Sequence, residues 1–376
     1  MKIAVIRERR DAEKRVAASP DTIKKYKGLG FDVVIEAGAG EAASLLDSAL
    51  EAAGATIAKD LKATIGDADI ILSVQGIEGK DAKLAKKGAA QLSLVNPFAE
   101  PERVQAYAEA GLAAFAMEFV PRITRAQSMD VLSSQSNLAG YKAVLDAAAH
   151  YGRAFPMMMT AAGTIPPAKV MVMGAGVAGL QAIATAKRLG AIVSATDVRL
   201  AAKEQVESLG GKFVMVDDEE AKAAETSGGY AKEMSDAYKA KQAALIAETL
   251  AKQDIAITTA LIPGRPAPRL ITAEMVKSMR PGSVIVDLAV EAGGNCELSK
   301  PGEIVEVGGV LIVGYRNVPS RLAADASLLF AKNLLNFITP HVKDGVLAFD
   351  WEDQIIKESL VTKDGAVVNP RLAPAS

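Results

Sequence analysis

A chain of 376 residues, half of them hydrophobic, exceeds the roughly 250 to 300 residues at which one core stops growing, so two domains are expected. Its 43 Lys and Arg nearly cancel its 45 Asp and Glu for a net charge of −2, which leaves no basic field for a phosphate backbone and argues against nucleic acid as a partner. Cys296 is the single cysteine, so a disulfide framework or cysteine-built metal centre is excluded, no metal site is expected, and the thiol reads as packing in a reducing compartment.

The opening MKIAVIRERRDAEKR joins a short apolar run directly to charges, which predicts a first strand rather than a secretory leader. A helix beginning near Pro20 follows. The runs FDVVIEAG, ADIILSV, AAQLSLV and LAAFAMEF then alternate with helical patterns, as a parallel sheet with crossover helices requires. Pro121 breaks this series. The polar stretch from Arg122 to Asn137 reads as a loop, and Leu138, Tyr141, Val144 and Leu145 fall at helical spacing in a long helix joining the domains. The triple methionine Met157 to Met159 reads as adaptable packing. From Lys169 a second alternating series runs through KVMVMGAG, AIVSATDV, GKFVMV, DIAITTAL, GSVIVDLA and GVLIVGY. The charged insertion from Asp217 to Gln242 reads equally well as solvated linker or mobile flap. After Pro319, SRLAADASLLFAKNLLNFITPHV reads as a second long helix returning the chain to the first domain, because the last 40 or so residues are too few for a core. The expected architecture is α/β, with two doubly wound Rossmann-like domains joined by two long helices. The first comprises residues 1–125 plus 326–376; the second comprises 126–325, including the connecting helices and the 217–242 loop. The longest charge-free stretch, Val170 to Ala186, contains three glycines and falls short of the ~18 residues of a spanning helix, so no membrane span is expected.

Gly174, Gly176 and Gly179 fit G-x-G-x-x-G in the context that gives the motif meaning. The strand KVMVM precedes them, and a helix with Leu180, Ile183 and Ala184 on one face follows. The glycines permit a tight turn and close approach of backbone N–H groups to a pyrophosphate at a helix N-terminus. Gly190 ends the helix, and after a second strand Asp197 stands 18 residues beyond Gly179, where an acid accepts from the adenosine ribose hydroxyls. Asp197 would repel a 2′-phosphate, which favours NAD(H) over NADP(H). Arg199 could accommodate such a phosphate, but reads as a surface cation or adenine-stacking group. A second approximate motif, Glu36 to Ala43 (EAGAGEAA), lacks both the ribose acid and a continuous apolar-faced helix, and reads as a fold relic.

A dehydrogenase acting on a hydroxyl or amine must also remove a proton, normally through His or a tuned Lys. The two histidines, His150 and His341, both read as helix-terminal residues. Hydride exchange between two nicotinamides moves no proton at the reacting carbons and needs positioning alone.

MKIAVIRERRDAEKRVAASP, RITRAQSMDVLSSQSNLAGY, AFPMMMTAAGTIPPAKV, AGVAGLQAIATAKRLGAIVSATDVR, ETSGGYAKEM, DIAITTALIPGRPAP, GSVIVDLAVEAGGNCELS and VPSRLAADAS resemble the NAD(H)-binding component of the proton-translocating NAD(P) transhydrogenase family, within the alanine dehydrogenase/transhydrogenase superfamily. Lacking hydrophobic spans, the chain resembles the separately encoded form of that component found in bacteria with a split enzyme. The resemblance implies a cytoplasmic homodimer, held peripherally at the inner membrane by an NADP(H)-binding beta subunit and a membrane-spanning subunit. NADH here would pass hydride directly to NADP+ as co-substrate on the partner, coupled to proton movement. In the family's RQD loop the matching residues are Arg122, Gln127 and Asp130, followed by Ser133, around the nicotinamide and its ribose. The nucleotide would also meet Val177, Ala178, Val198 and Leu261. Gly229, Tyr230 and Met234 would close on it from the family's mobile loop, which resolves the flap reading.

Alanine dehydrogenase is the alternative within the superfamily. That family's N-terminal pattern appears as Arg15-Val16-Ala17, and its acid-bearing strand resembles VDLAVEAGG with Asp287 and Glu291. Its catalytic Lys position falls on Gln75, and its catalytic His region, QLSLVNPF, holds no histidine. Arg15, Asp287 and Glu291 therefore read as inherited scaffold.

Overall fold

The computed structural model describes residues 1–216, 235–262, 264–343 and 345–372. These form two compact units, Met1–Gln135 with Pro319–Ser376, and Ser136–Val318.

In unit 1 the strands are β1 (Lys2–Val5), β2 (Asp32–Glu36), β3 (Thr56–Ala58), β4 (Ile70–Leu72), β5 (Ala90–Ser93) and β6 (Ala113–Ala116). They pair in parallel in the order β3-β2-β1-β4-β5-β6, the order of a dinucleotide-binding doubly wound sheet. Strand alternation divides the core between two faces: Ile3, Val5, Ile70 and Leu72 pack on one, Ala4, Ile6 and Ile71 on the other. The helix Pro20–Gly28 starts where Ser19 and Thr22 form a reciprocal capping box, with Pro20 at its first turn.

The chain passes into unit 2 within one continuous helix, Val131–His150. That helix begins inside the stretch expected to be loop. Its start is fixed by Asp130, whose carboxylate accepts from Ser133 N–H at 2.9 Å and from Ser133 Oγ at 2.5 Å. A small hairpin, β7 (Met158–Thr160) and β8 (Gly163–Ile165), follows. Met157 to Met159 are exposed on it, Met159 at 79%, which corrects the expectation that they pack.

The second sheet comprises β9 (Lys169–Met173), β10 (Ile192–Thr196), β11 (Lys212–Phe213), β12 (Ile255–Thr258), β13 (Val284–Asp287), β14 (Ile304–Val307) and β15 (Val310–Val313). Its order is β11-β10-β9-β12-β13-β15-β14, parallel except for the β14–β15 hairpin at its edge. Val170 and Val172 face one core, Met171 and Met173 the other. Residues 235–242, expected at the end of the flap, instead begin the helix Asp236–Leu250. Ser235 caps it by accepting from Tyr238 N–H at 3.1 Å.

The return crossing lies between Val318 and Pro319, so the helix Ala323–Ile338 belongs wholly to unit 1 and does not join the units as expected. Its face of Phe330, Leu334, Phe337 and Ile338 is buried in the unit 1 core. Residues 126–135 and 319–325, expected in the second domain, also lie in unit 1. Polar bonds hold this region: Gln135 Nε2 donates to Ala326 O at 3.1 Å, and Asn333 Nδ2 donates to Ser128 O at 2.8 Å. A hairpin of β16 (Val342–Lys343) and β17 (Val346–Leu347) follows, and then β18 (Leu360–Lys363) and β19 (Ala366–Val367) extend the first sheet antiparallel beyond β6. Among the described residues, no helix is long and apolar enough to cross a membrane.

Candidate nucleotide site

In unit 2, β9 is the central strand where the order reverses, with β10 on one side and β12 on the other. Ligands of doubly wound sheets bind beyond the carboxyl end of that position. The three glycines follow β9 directly, and each meets a different need. Gly174 holds φ +103°, a conformation side chains resist, and its carbonyl accepts from Thr259 Oγ1 at 3.0 Å. Gly176 is the N-cap of the helix Val177–Arg188 with extended backbone, and a Cβ there would meet nothing within 4 Å. No side chain caps this helix, so the N–H groups of its first turn, including Val177 and Ala178, remain for a ligand. Gly179 lies under the turn, where a Cβ would stand 2.8 Å from the Gly174 carbonyl carbon and closer still to its oxygen. Open space at the second glycine and closed space at the third are what a pyrophosphate turn demands.

The ribose acid is tied to the same turn. Asp197 Oδ2 accepts from Ala175 N–H at 2.7 Å, which fixes the carboxylate relative to the glycines. Arg199 holds both carboxylate oxygens, with Nε 2.9 Å from Oδ1 and Nη2 3.0 Å from Oδ2. This corrects the reading of Arg199 as a plain surface cation. Burial of Asp197 disfavours its charge, but the Arg199 guanidinium and N–H, with Ala175 N–H, outweigh it and hold the carboxyl below the usual range. Val198, between them, is 88% exposed, and Leu261 beyond β12 is also exposed.

Two further residues of unit 2 shape the neighbouring loops and were not singled out by sequence reasoning. Asn295 accepts from Ala260 N–H at 3.0 Å and donates to Ala260 O and Pro268 O, pinning the segment that carries Leu261. Gly140, on the long helix, packs backbone to backbone on the nucleotide helix: a Cβ there would stand 2.8 Å from the Ala178 carbonyl carbon. Asp287 is buried and satisfied by Thr258 Oγ1, Ala289 N–H, Cys296 N–H and Ser299 Oγ, and Glu291 accepts from Asn317 N–H, as scaffold residues would.

In unit 1, Arg122 and Gln127 are exposed, and no side-chain hydrogen bond or ion pair holds either among the described residues. Asp130 and Ser133 bond each other at the helix start. Between these, Ala126 and Met129 are buried as anchors of the loop. Gly229, Tyr230 and Met234, expected to contact the nucleotide, lie outside the described residues.

The alanine dehydrogenase positions of unit 1 are differently engaged. Arg15 is buried with its guanidinium on Glu13, Nε 2.8 Å from Oε1 and Nη2 2.6 Å from Oε2, and its Nη1 donates to Gln135 Oε1. Gln75 Nε2 and Ser320 Oγ add donors to the same carboxylate. Burial pushes the Glu13 carboxyl up, but the bonds and charge of Arg15, with Gln75, prevail and bring it down to about 2. Nearby Glu8 is pushed up to about 8 by burial and by the charge of Glu13. The approximate motif at Glu36 carries no nucleotide geometry either: its acid accepts from Arg7 N–H and the Arg9 guanidinium, and Gly38 N–H donates to Asp47.

Comparison with known proteins places this geometry. The family models described as alanine dehydrogenase/PNT, N-terminal domain and C-terminal domain, match residues 4–139 and 143–370. The chain is 61% identical, over 99% of each chain, to the separately encoded first portion of the NAD(P) transhydrogenase alpha subunit of Rhodospirillum rubrum. It is 30% identical to an alanine dehydrogenase of Halomonas elongata over 100% of this chain and 96% of that one. A crystal structure of transhydrogenase from Sinorhizobium meliloti superimposes with a TM-score of 0.90 at 55% identity, covering 98% of this chain and 100% of the other. With both models matched and the transhydrogenase relatives twice as similar as the dehydrogenase, the chain belongs to the alanine dehydrogenase/PNT family as a homologue of transhydrogenase alpha subunits.

Proposed function

We propose that this chain is the NAD(H)-binding subunit of a proton-translocating transhydrogenase. The observation that carries the reading is the turn after β9, with Gly176 open, Gly179 closed and Asp197 tied to it through Ala175 N–H. These residues fit a dinucleotide: first-turn N–H groups for the pyrophosphate, Asp197 for the adenosine ribose, and Val198 and Leu261 as exposed apolar surface for the base. NADH, when bound, supplies a hydride from C4, and NADP+ held by an NADP(H)-binding beta subunit accepts it, so one nicotinamide is oxidised and the other reduced with no proton exchanged at either carbon. This chain's work is therefore orientation. Arg122 and Gln127 offer a cation and an amide to the nicotinamide end, and the Asp130–Ser133 pair holds the start of the helix beside them. Gly229, Tyr230 and Met234 complete the nucleotide contacts. The chain works as a cytoplasmic homodimer, and a membrane-spanning subunit holds it at the inner membrane and couples the transfer to proton movement.

A self-contained alanine dehydrogenase is not supported. Gln75 stands where that family needs its catalytic Lys, QLSLVNPF holds no histidine, and the buried Arg15 is held by Glu13. The deciding experiment titrates the purified chain with NADH, adds a transhydrogenase NADP-binding domain, and follows exchange between the nucleotide pools. The chain alone should bind NADH and turn nothing over. Gln127→Ala should slow exchange far more than it weakens NADH binding; equal losses would contradict the orienting role, and turnover of L-alanine with NAD+ would overturn the reading.

A further inference from the structure

The strand end that carries Asp197 holds a second group whose chemistry the proposed function leaves unused. Arg199 reaches back across Val198 and places Nε 2.9 Å from Oδ1 and Nη2 3.0 Å from Oδ2, while its backbone N–H stands 2.8 Å from Oδ1. Ala175 N–H takes a fourth place, 2.7 Å from Oδ2. A carboxylate offers about four lone-pair sites, so the described donors fill them all. Two of the four are arms of one guanidinium whose side chain is otherwise 57% exposed.

A guanidinium fork matches a phosphate as well as it matches a carboxylate. An acid at this strand end accepts from a ribose hydroxyl, so a phosphate esterified there would bring its oxygens toward the ground that Asp197 occupies, within the span of Arg199. We propose that Asp197 and Arg199 form a masked 2′-phosphate subsite: the acid keeps NADP(H) out by occupying the guanidinium that would otherwise bind its phosphate. Arg199 is thereby the residue that decides what the site becomes when the acid is lost. The inference rests on NAD(H) binding at the glycine turn.

Masking and simple repulsion differ in one consequence. If Asp197 acted by its charge alone, removing it would relieve NADPH equally with or without Arg199. If it masks Arg199, the gain requires the arginine. Wild type, Asp197→Ala and the double variant Asp197→Ala/Arg199→Ala are titrated with NADH and NADPH by coenzyme fluorescence. Wild type should bind NADH in preference to NADPH. Asp197→Ala should gain roughly ten- to hundredfold in NADPH affinity, the value of a charge-assisted phosphate contact, and the gain should shrink as salt is raised. In the double variant it should vanish. Asp197→Ser, whose hydroxyl can still accept from Ala175 N–H, repeats the test if the alanine variant does not fold. An equal gain in single and double variants, or no gain in a folded single variant, overturns the masked subsite and leaves the NAD(H) reading standing. A wild-type chain that binds neither coenzyme overturns both.

Discussion

Gly176→Ala and Gly179→Ala place the same methyl group three residues apart on one turn, and the structure assigns them opposite consequences. At Gly176, φ is −76° and ψ −168°, and a Cβ meets nothing within 4 Å. Folding stability should change by less than about 1 kcal/mol, the balance between a less flexible unfolded chain and a poorer N-cap. The methyl nevertheless stands on the face where the backbone must approach a pyrophosphate. Losing one charge-assisted hydrogen bond there costs about 1.5–3 kcal/mol, or roughly ten- to hundredfold in Kd. At Gly179 the methyl would stand 2.8 Å from the Gly174 carbonyl carbon and 3.3 Å from Thr259 Oγ1. Since the nearer obstacle is backbone, the turn must open, at a cost of about 1–3 kcal/mol or more. At about 2–4 °C per kcal/mol for a unit of this size, that is a visible drop in Tm. Circular dichroism melts with NADH fluorescence titration separate the two effects. Gly176→Ala should melt with the wild type and bind NADH poorly, and Gly179→Ala should melt early. A folded Gly176→Ala that binds NADH normally would show that this turn carries no pyrophosphate.

Gly140→Ala should lower the Tm of unit 2 although Gly→Ala in an open helix gains about 1 kcal/mol, because its Cβ would press on the Ala178 backbone; a raised Tm would refute that packing. Burial pushes the Cys296 thiol up to about 11, so it should resist a disulfide reagent at pH 8 in the native chain and react once unfolded; fast native labelling would count against it. Glu13→Gln should destabilise unit 1 by about 3–5 kcal/mol at neutral pH by stranding the buried Arg15 charge. Glu13 is held near 2 against 4.5 when unfolded, so its contribution of about 3 kcal/mol is present above pH 4.5 and lost as pH falls toward 2. Wild type and Glu13→Gln should therefore converge in acid melts, and a constant gap between them would oppose this.

Legibility in the sequence followed how local each cause is. Strands with their own apolar runs could be read, because pattern and burial coincide in a parallel sheet. β3 (Thr56–Ala58) and β14 (Ile304–Val307) could not, since edge strands need no such run and theirs are mostly exposed or half-buried. The first turns of Val131–His150 look like loop because Ser133, Ser134 and Gln135 are polar, yet their partners are interior: Ser134 Oγ donates to Asn333 Oδ1, 199 residues away. Gln135 and Arg15 likewise meet across 120 residues. Asp197 was legible as an acid at a strand end; that Arg199 fills half its acceptor sites depends on a side-chain direction that spacing does not encode.

The two units also show why a glycine pattern means something only at one place in a sheet. In unit 2 the glycines follow β9, where the strand order reverses and the helices on either side diverge to leave a crevice. In unit 1 the glycine-rich EAGAGEAA follows β2, one strand away from the equivalent central strand β1, and closes on Asp47. Beyond β1 the chain runs instead through Ile6 into Arg7-Glu8-Arg9-Arg10, and from there to the buried Glu13–Arg15 pair. The crevice position of unit 1 is thus occupied by the chain's own charges, whereas that of unit 2 keeps the first-turn N–H groups of its helix without a side-chain acceptor. A fold built twice therefore supplies one nucleotide turn, and the difference lies in which strand the glycines follow, not in how closely they match a motif.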